Sequence, residues 1–428
     1  MRIMLGRKGA CVFRFGLFVS GLCFILSSFE LFSQSVCNNA SPQEGTFRPE
    51  AGQLLFNIYN RDFFVDNEYS GEKTSGYTLP GFRLTPTLAY GISDNLFIEA
   101  GLSALRFHGA ERYPCFVYAN LPEWKGYQYL SGLHLVPYFR AVWFISPALS
   151  VAFGNIDNRH SHSLPEPLYN IENTFAYDPE AGLQLRLNTR HNRSDVWLNW
   201  QSFVFENDIH QETFTLGVSS RSRILFDGDR LELALPLSFV LQHLGGENLA
   251  VESVTESWFN LSLGLRLTRH LNERMHVAMG CDLLRYKALS ETEIMPFGEG
   301  WAYFPYVEAA CKRLRVKLAF YDSKDFVSLL GSPHFNNYST NTENLIFDRA
   351  NQYYLMATYS SKITEACSAD LYLQLFKQNR ITGDRPGYEK VIRSGFLSFS
   401  VGIVLNVNHS ILLKRFSPKA DKSRSAID

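Results

Sequence analysis

Histidine is the first residue type to weigh for chemistry, and Arg159-His160-Ser161-His162 places two imidazoles two residues apart, with His191 and His210 elsewhere in the chain. A metal site needs a third ligand at a defined spacing; none is present, so the stretch reads as a solvated polar loop and no metal is assigned. Nucleophilic catalysis would be marked by G-x-S-x-G, H-E-x-x-H or a P-loop, none of which occurs. A lipid hydrolase embedded in a membrane would set His and Ser together on its lipid side, whereas His276 falls on the polar parity of its segment. The expectation is therefore a protein that is not an enzyme and carries no cofactor. Arg221 and Arg223 share one face of an extended segment. They would either form a basic constriction that draws anions or join Glu232, Glu99 or Asp282 in an internal salt-bridge network.

The segment that holds these arginines shows what must position them. From Leu231 to Leu241 the residues Leu231, Leu233, Leu235, Leu237, Phe239 and Leu241 alternate with Glu232, Ala234, Pro236, Ser238 and Gln242. Period two is a strand with one apolar face. Thr213 to Ile224 alternates likewise, and Asp227-Gly228-Asp229 between the two arms suits a tight hairpin. The pattern recurs from the Gln53 stretch through Phe82–Ile92, Leu96–Leu102, Leu133–Ile145, Phe259–Leu267, Val277–Leu283, Leu314–Phe320 and Leu397–Val407. Short turns near residues 93, 147, 192, 228, 272, 313, 363 and 408 alternate with generally longer loops. Three of these are long loops: the aromatic Tyr113–Tyr129 stretch, the polar 326–351 segment, and one holding the proline-spaced Leu164–Tyr169 stretch, which is read foremost as an ordered surface loop and otherwise as an inward-folded constriction or part of a ligand site. Pro86, Pro137, Pro236 and Pro305 each remove a ladder hydrogen bond, so bulges or strand ends are expected there.

Composition bounds the rest. With 41 Lys+Arg against 42 Asp+Glu in 428 residues there is no basic excess to suggest a nucleic-acid partner. Arg2, Arg7, Lys8 and Arg14 precede an apolar run from Phe15 to Phe29, as in a secretory signal peptide, with cleavage expected near Ser33-Gln34-Ser35. The wide, irregular spacing of Cys37, Cys115, Cys281, Cys311 and Cys367 is not that of a disulfide scaffold or a zinc site. Beyond the signal, no apolar run reaches the ~18 residues of a membrane helix, yet many strands are as long as a tilted bilayer-crossing strand needs. The expected organisation is a signal peptide over residues 1–35, a polar lead-in over 36–49, a barrel over 50–416 and a charged tail over 417–428.

Strands that cross lipid must close on themselves, because hydrocarbon satisfies no edge N–H or C=O. The fold class is therefore all-β: a transmembrane antiparallel up-and-down β-barrel of about sixteen strands. The apolar rows face lipid, and parity then points Arg83, Glu99, Arg140, Arg186, Arg221, Arg223, Glu232, Arg266, Asp282, Glu308, Arg315, Lys317 and Asp370 into the lumen. Ile411–Phe416 is read either as a separate strand after a turn at Asn408-His409 or as an extension of the last one.

The signal peptide, the alternating arms, the short-turn and long-loop asymmetry and the aromatic-ended Ile411-Leu412-Leu413-Lys414-Arg415-Phe416 segment resemble the outer-membrane β-barrel proteins of Gram-negative bacteria. The resemblance implies residence in the bacterial outer membrane, contact with its lipid, and handling by the barrel-assembly machinery, which in that class recognises a terminal aromatic residue. A twelve-residue tail follows Phe416 here and departs from that pattern. The function expected is a passive or weakly selective channel for small solutes. The competing expectation is a non-conducting barrel with a filled lumen, whose outer loops bind a partner or a glycan.

Overall fold

The computed structural model describes residues 47–109, 113–114, 129–130, 132–202, 211–227, 230–245, 255–379, 381–384, 391–393 and 395–416. The signal segment, the charged tail, His210, Cys37, Cys115 and most of the aromatic 113–129 stretch lie outside the described residues.

Sixteen strands close into one antiparallel barrel. In chain order they are β1 (Gln53–Glu68), β2 (Tyr77–Ser93), β3 (Leu96–Phe107), β4 (His134–Phe144), β5 (Leu149–Asn155), β6 (Ala181–Asn188), β7 (Asn192–Ser202) and β8 (Glu212–Asp227). There follow β9 (Leu231–Gly245), β10 (Glu256–Asn272), β11 (Met275–Ala288), β12 (Glu299–Cys311), β13 (Leu314–Lys324), β14 (Ala350–Lys362), β15 (Cys367–Gln378) and β16 (Phe396–Arg415). Turns of two to four residues join them at one end, and longer connections join them at the other. The apolar rows face outward: Leu237, Leu261, Leu263 and Leu283 are all exposed. Their alternate neighbours Ser238, Asn260, Ser262 and Asp282 are buried inside. This inverts a soluble sheet, as a membrane barrel requires.

β1 closes the barrel against β16, paired from Gln53↔Arg415 to Glu68↔Phe399 with one register shift between Leu54 and Leu55. The turn expected at Asn408-His409 is absent. β16 runs unbroken, with Asn408 opposite Tyr59 and His409 opposite Ile58, so Ile411–Arg415 is the end of the last strand and the Gln53 stretch is the first. A partner strand that offers ladder hydrogen bonds overrides local turn chemistry. The prolines also behave differently from expectation. Pairing lapses on one side of Pro86, Pro236 and Pro305, yet the register on either side of each gap is unchanged. Pro137 pairs in register with Leu102. Each lost N–H is absorbed locally without a bulge; the register shifts fall elsewhere, for example between Arg223 and Leu225.

Two of the three long loops, 156–180 and 325–349, fold into the lumen. Leu168, Phe326 and Phe335 are fully buried (0% exposed) and share a core with the inward-facing Trp197, Trp258, Phe304, Tyr354 and Phe376 of the wall. Segments 156–180 and 325–349 are tied together by Asn170 N–H donating to Leu330 O (2.8 Å) and Asn173 Nδ2 donating to the same carbonyl (3.1 Å). Asn260 of β10 fastens the second segment, donating to Val327 O (2.8 Å) and accepting from Leu329 N (2.9 Å). Burial of apolar surface inside an otherwise polar lumen drives this inward folding, and periodicity cannot register it because the segments have no regular period.

His162 anchors the first segment and is no solvated loop residue. It is 1% exposed, stacked on Trp197 at 3.9 Å between ring centroids. Gly217 makes room for that indole, since a Cβ there would lie 2.0 Å from the Trp197 ring. The imidazole nitrogens reach Glu180 Oε2 (2.9 Å) and Asp195 Oδ2 (3.1 Å). Burial alone would lower its pKa, but the two carboxylates outweigh that and raise it to about 9.

Two outcomes follow from these contacts. Glu99 pairs with Arg140 (2.7 Å) in full burial and also accepts from Asn57. E99Q, which leaves the guanidinium uncompensated, is expected to lose about 3–5 kcal/mol in urea unfolding from detergent, with the E99L/R140M pair restoring much of it; an E99Q barrel as stable as wild type would refute the account. The His162 contribution is complete below its unfolded pKa near 6.5 and fades as pH rises through about 9. Lys73, buried beside His334 with its pKa lowered to about 7, has the opposite sign, its penalty fading as pH rises from there. The measurement is therefore the difference between wild type and H162Q, which should shrink between pH 6.5 and 9.5; a constant difference would exclude a charged His162.

Candidate functional site

The inward charges form pairs with the wall and with the plug. Arg83 donates to Thr174 O and Tyr177 O (both 2.8 Å), and Arg186 meets Asp157 (3.0 Å) and Asp195 (3.5 Å). Arg266 pairs with Glu308 at 2.7 Å, and Lys317 bridges Glu166 (2.6 Å) and Glu308 (3.8 Å). Asp282 is buried beside Gly264, Asp370 accepts from Asn406 (2.7 Å), and Arg315 is exposed. Arg221 and Arg223 both reach Glu232, the latter at 2.8 Å. All of these but Asp282 and Arg315 are held by a named partner.

Three histidines merit comparison as a catalytic base. His162 has both nitrogens on carboxylates and a pKa raised to about 9, so at neutral pH it holds the proton a base must accept. His134 meets Asp178 Oδ2 at 2.9 Å at the loop end of β4, an orienting contact with no nucleophile hydrogen-bonded to it. His243 differs from both. Its Nδ1 lies 2.8 Å from Ser257 Oγ, the distance of a nucleophile and its base.

The strands place this pair by parity. His243 continues the row Leu237, Phe239, Leu241 on β9, and Ser257 opens the row Phe259, Leu261, Leu263 on β10; the two are directly opposite in register. Both therefore stand on the lipid-facing wall, at the long-loop end of the barrel, with exposed Leu261 and Leu263 running down from the serine. Phe214 of β8 packs against the imidazole at 4.9 Å between centroids. On its far side the ring leans over Gly245: a Cβ there would come within 2.8 Å of Nε2. Glu212, opposite Gly245 on β8, shares the outer face and lies diagonal to His243, about 7–8 Å away by sheet geometry. A carboxylate, an imidazole and a hydroxyl thus occupy three adjacent strands, in the order a nucleophilic relay uses.

His276, on the polar parity of its strand, turns inward toward Glu308 (3.7 Å). The sequence signal for the outward histidine is the parity of His243, on the leucine row. Ser257 lies 14 residues away on the next strand, so no contiguous motif spells the pair.

Among solved structures the chain is similar to the outer membrane protein OprD of Pseudomonas aeruginosa, with 8% identity over 85% of this chain and 95% of that one and a TM-score of 0.44. It is similar also to OmpT of Vibrio cholerae (7% identity, 85% and 99% covered, TM-score 0.44) and to Pseudomonas putida OprB (10%, 84% and 94%, TM-score 0.45). No curated protein matches it. The model of one family, described as lipid A 3'-O-deacylase-type, matches residues 42–416, which is nearly the whole barrel. That match points to an enzyme and overturns the expectation of a protein without one, which rested on missing contiguous signatures. The chain belongs to the lipid A 3'-O-deacylase-type family.

Proposed function

We propose that the protein is an outer-membrane hydrolase that removes an ester-linked acyl chain from a membrane lipid, with lipid A as the substrate that the family description suggests. The observation that carries this reading is the Ser257–His243 contact of 2.8 Å on the lipid-facing wall. Ser257 Oγ attacks the acyl carbonyl while its proton passes to His243; the bond to the lipid hydroxyl breaks, and that hydroxyl leaves with the proton. Water then attacks the acyl-serine, His243 again taking and returning a proton, and the fatty acid departs. Glu212, diagonal to His243 on the same outer face, supplies a nearby carboxylate that favours the charged imidazole. The exposed Leu261 and Leu263 provide an apolar track along which the acyl chain lies with its ester at the rim. Substrate in the bilayer reaches this wall by lateral diffusion, so no path through the lumen is needed.

The channel reading is the weaker one. A passive pore needs an aqueous path, and here two loops with an apolar core occupy the lumen while Glu99, Arg266 and Lys317 are held in ion pairs. In planar bilayers the folded protein is expected to give no channel events; steady conductance would reinstate the channel.

Mass spectrometry of lipid A incubated with the purified barrel in detergent should show loss of one acyl chain. S257A and H243A should each lower that rate by at least ~10²-fold, in line with removal of a nucleophile or base. G245A, whose methyl group displaces the imidazole, should lower it while heat-modifiable gel mobility stays normal. Full activity in S257A would move the chemistry elsewhere.

A further inference from the structure

The turn end of the barrel carries a separate feature. Thr189, Asn192, Arg193, Arg221 and Arg223 line a small hollow open to solvent. Arg193 of β7 and Arg221 of β8 are directly opposite in register. Two like charges facing each other across a ladder oppose pairing, and among the described residues one carboxylate serves the group: Glu232 takes Arg221 and Arg223. Among those residues three guanidinium groups stand against one carboxylate, an excess of positive charge around the space. Arg221 Nε is buried without a protein partner, and Arg223 Nη1 donates to Arg190 O only at 3.3 Å. Thr189 and Asn192 add a hydroxyl and an amide, both already engaged within the turn and with Ser220 and Ser222.

We propose that this cavity binds a phosphate group. A phosphate dianion matches the surplus charge, and its tetrahedral oxygens suit guanidinium forks arriving from two strands. It also relieves the Arg193–Arg221 opposition. Because Arg193, Arg221 and Arg223 lie on the inward parity, access is from the aqueous compartment at the turn end and not from the bilayer. The ligand is thus a soluble phosphate or phosphate ester. The cavity lies at the opposite end of the barrel from Ser257 and is independent of the hydrolase reading.

Titration calorimetry of the refolded barrel in a non-ionic detergent tests this, with inorganic phosphate and glycerol 3-phosphate as ligands and phosphatidylglycerol vesicles as a third arm. Saturable binding of either soluble ligand is expected, the tighter one distinguishing free ion from ester. R193Q, which leaves the Glu232 pairs intact, should weaken it at least ~10-fold, and K362Q, at another turn, should not change it. Equal binding by R193Q and wild type, no saturation with either soluble ligand, or binding to the vesicles alone would overturn the proposal.

Discussion

Hydrocarbon offers no hydrogen-bond partner to a backbone, and that single constraint organises this chain. Every strand that crosses lipid needs a neighbour on both sides, so the first and last strands must meet. β1 and β16 do so over the whole length of β1. The same constraint explains why the apolar face of each strand is the outer one and why polar and charged side chains must find partners among themselves in the lumen. The prolines show how strict it is, since the register on either side of each gap survives the loss of an N–H.

The lumen answers its own problem in two ways. Near the wall, charges pair: Glu99 with Arg140, Arg266 with Glu308, Lys317 with Glu166. Along the axis, two long loops bring an apolar core of their own and are stitched to inward-facing asparagines and aromatics. This filling backs the strands that carry the proposed hydrolytic pair on the outer surface. The Ser257–His243 contact depends on the register of two strands and on the space left by Gly245, both fixed by the wall.

Much of this was legible from residue alternation. Parity along Leu231–Leu241 and its counterparts reports which face meets lipid, because period two survives any tertiary context that keeps the strand. Three things were not legible. Asn408-His409 looks like a turn because local chemistry is silent about a partner strand more than 340 residues away, which keeps the strand extended. The inward folding of 156–180 and 325–349 depends on apolar residues without periodicity, among them Leu168, Phe326 and Phe335, whose common core exists only in three dimensions. The candidate site joins residues from separate strands, so its geometry is set by register, a property of pairs of segments and not of either one.

Ser161, His162 and Ser163 all have positive φ (51°, 49° and 59°), three consecutive residues in the left-handed region. Such a conformation costs on the order of 1–3 kcal/mol per non-glycine residue and persists only where its surroundings impose it. The imposing contacts here are the Trp197 stack and the two carboxylates on His162. The run is built as a sprung catch: release of the imidazole would let three residues relax together, so this part of the plug is expected to open as one cooperative step.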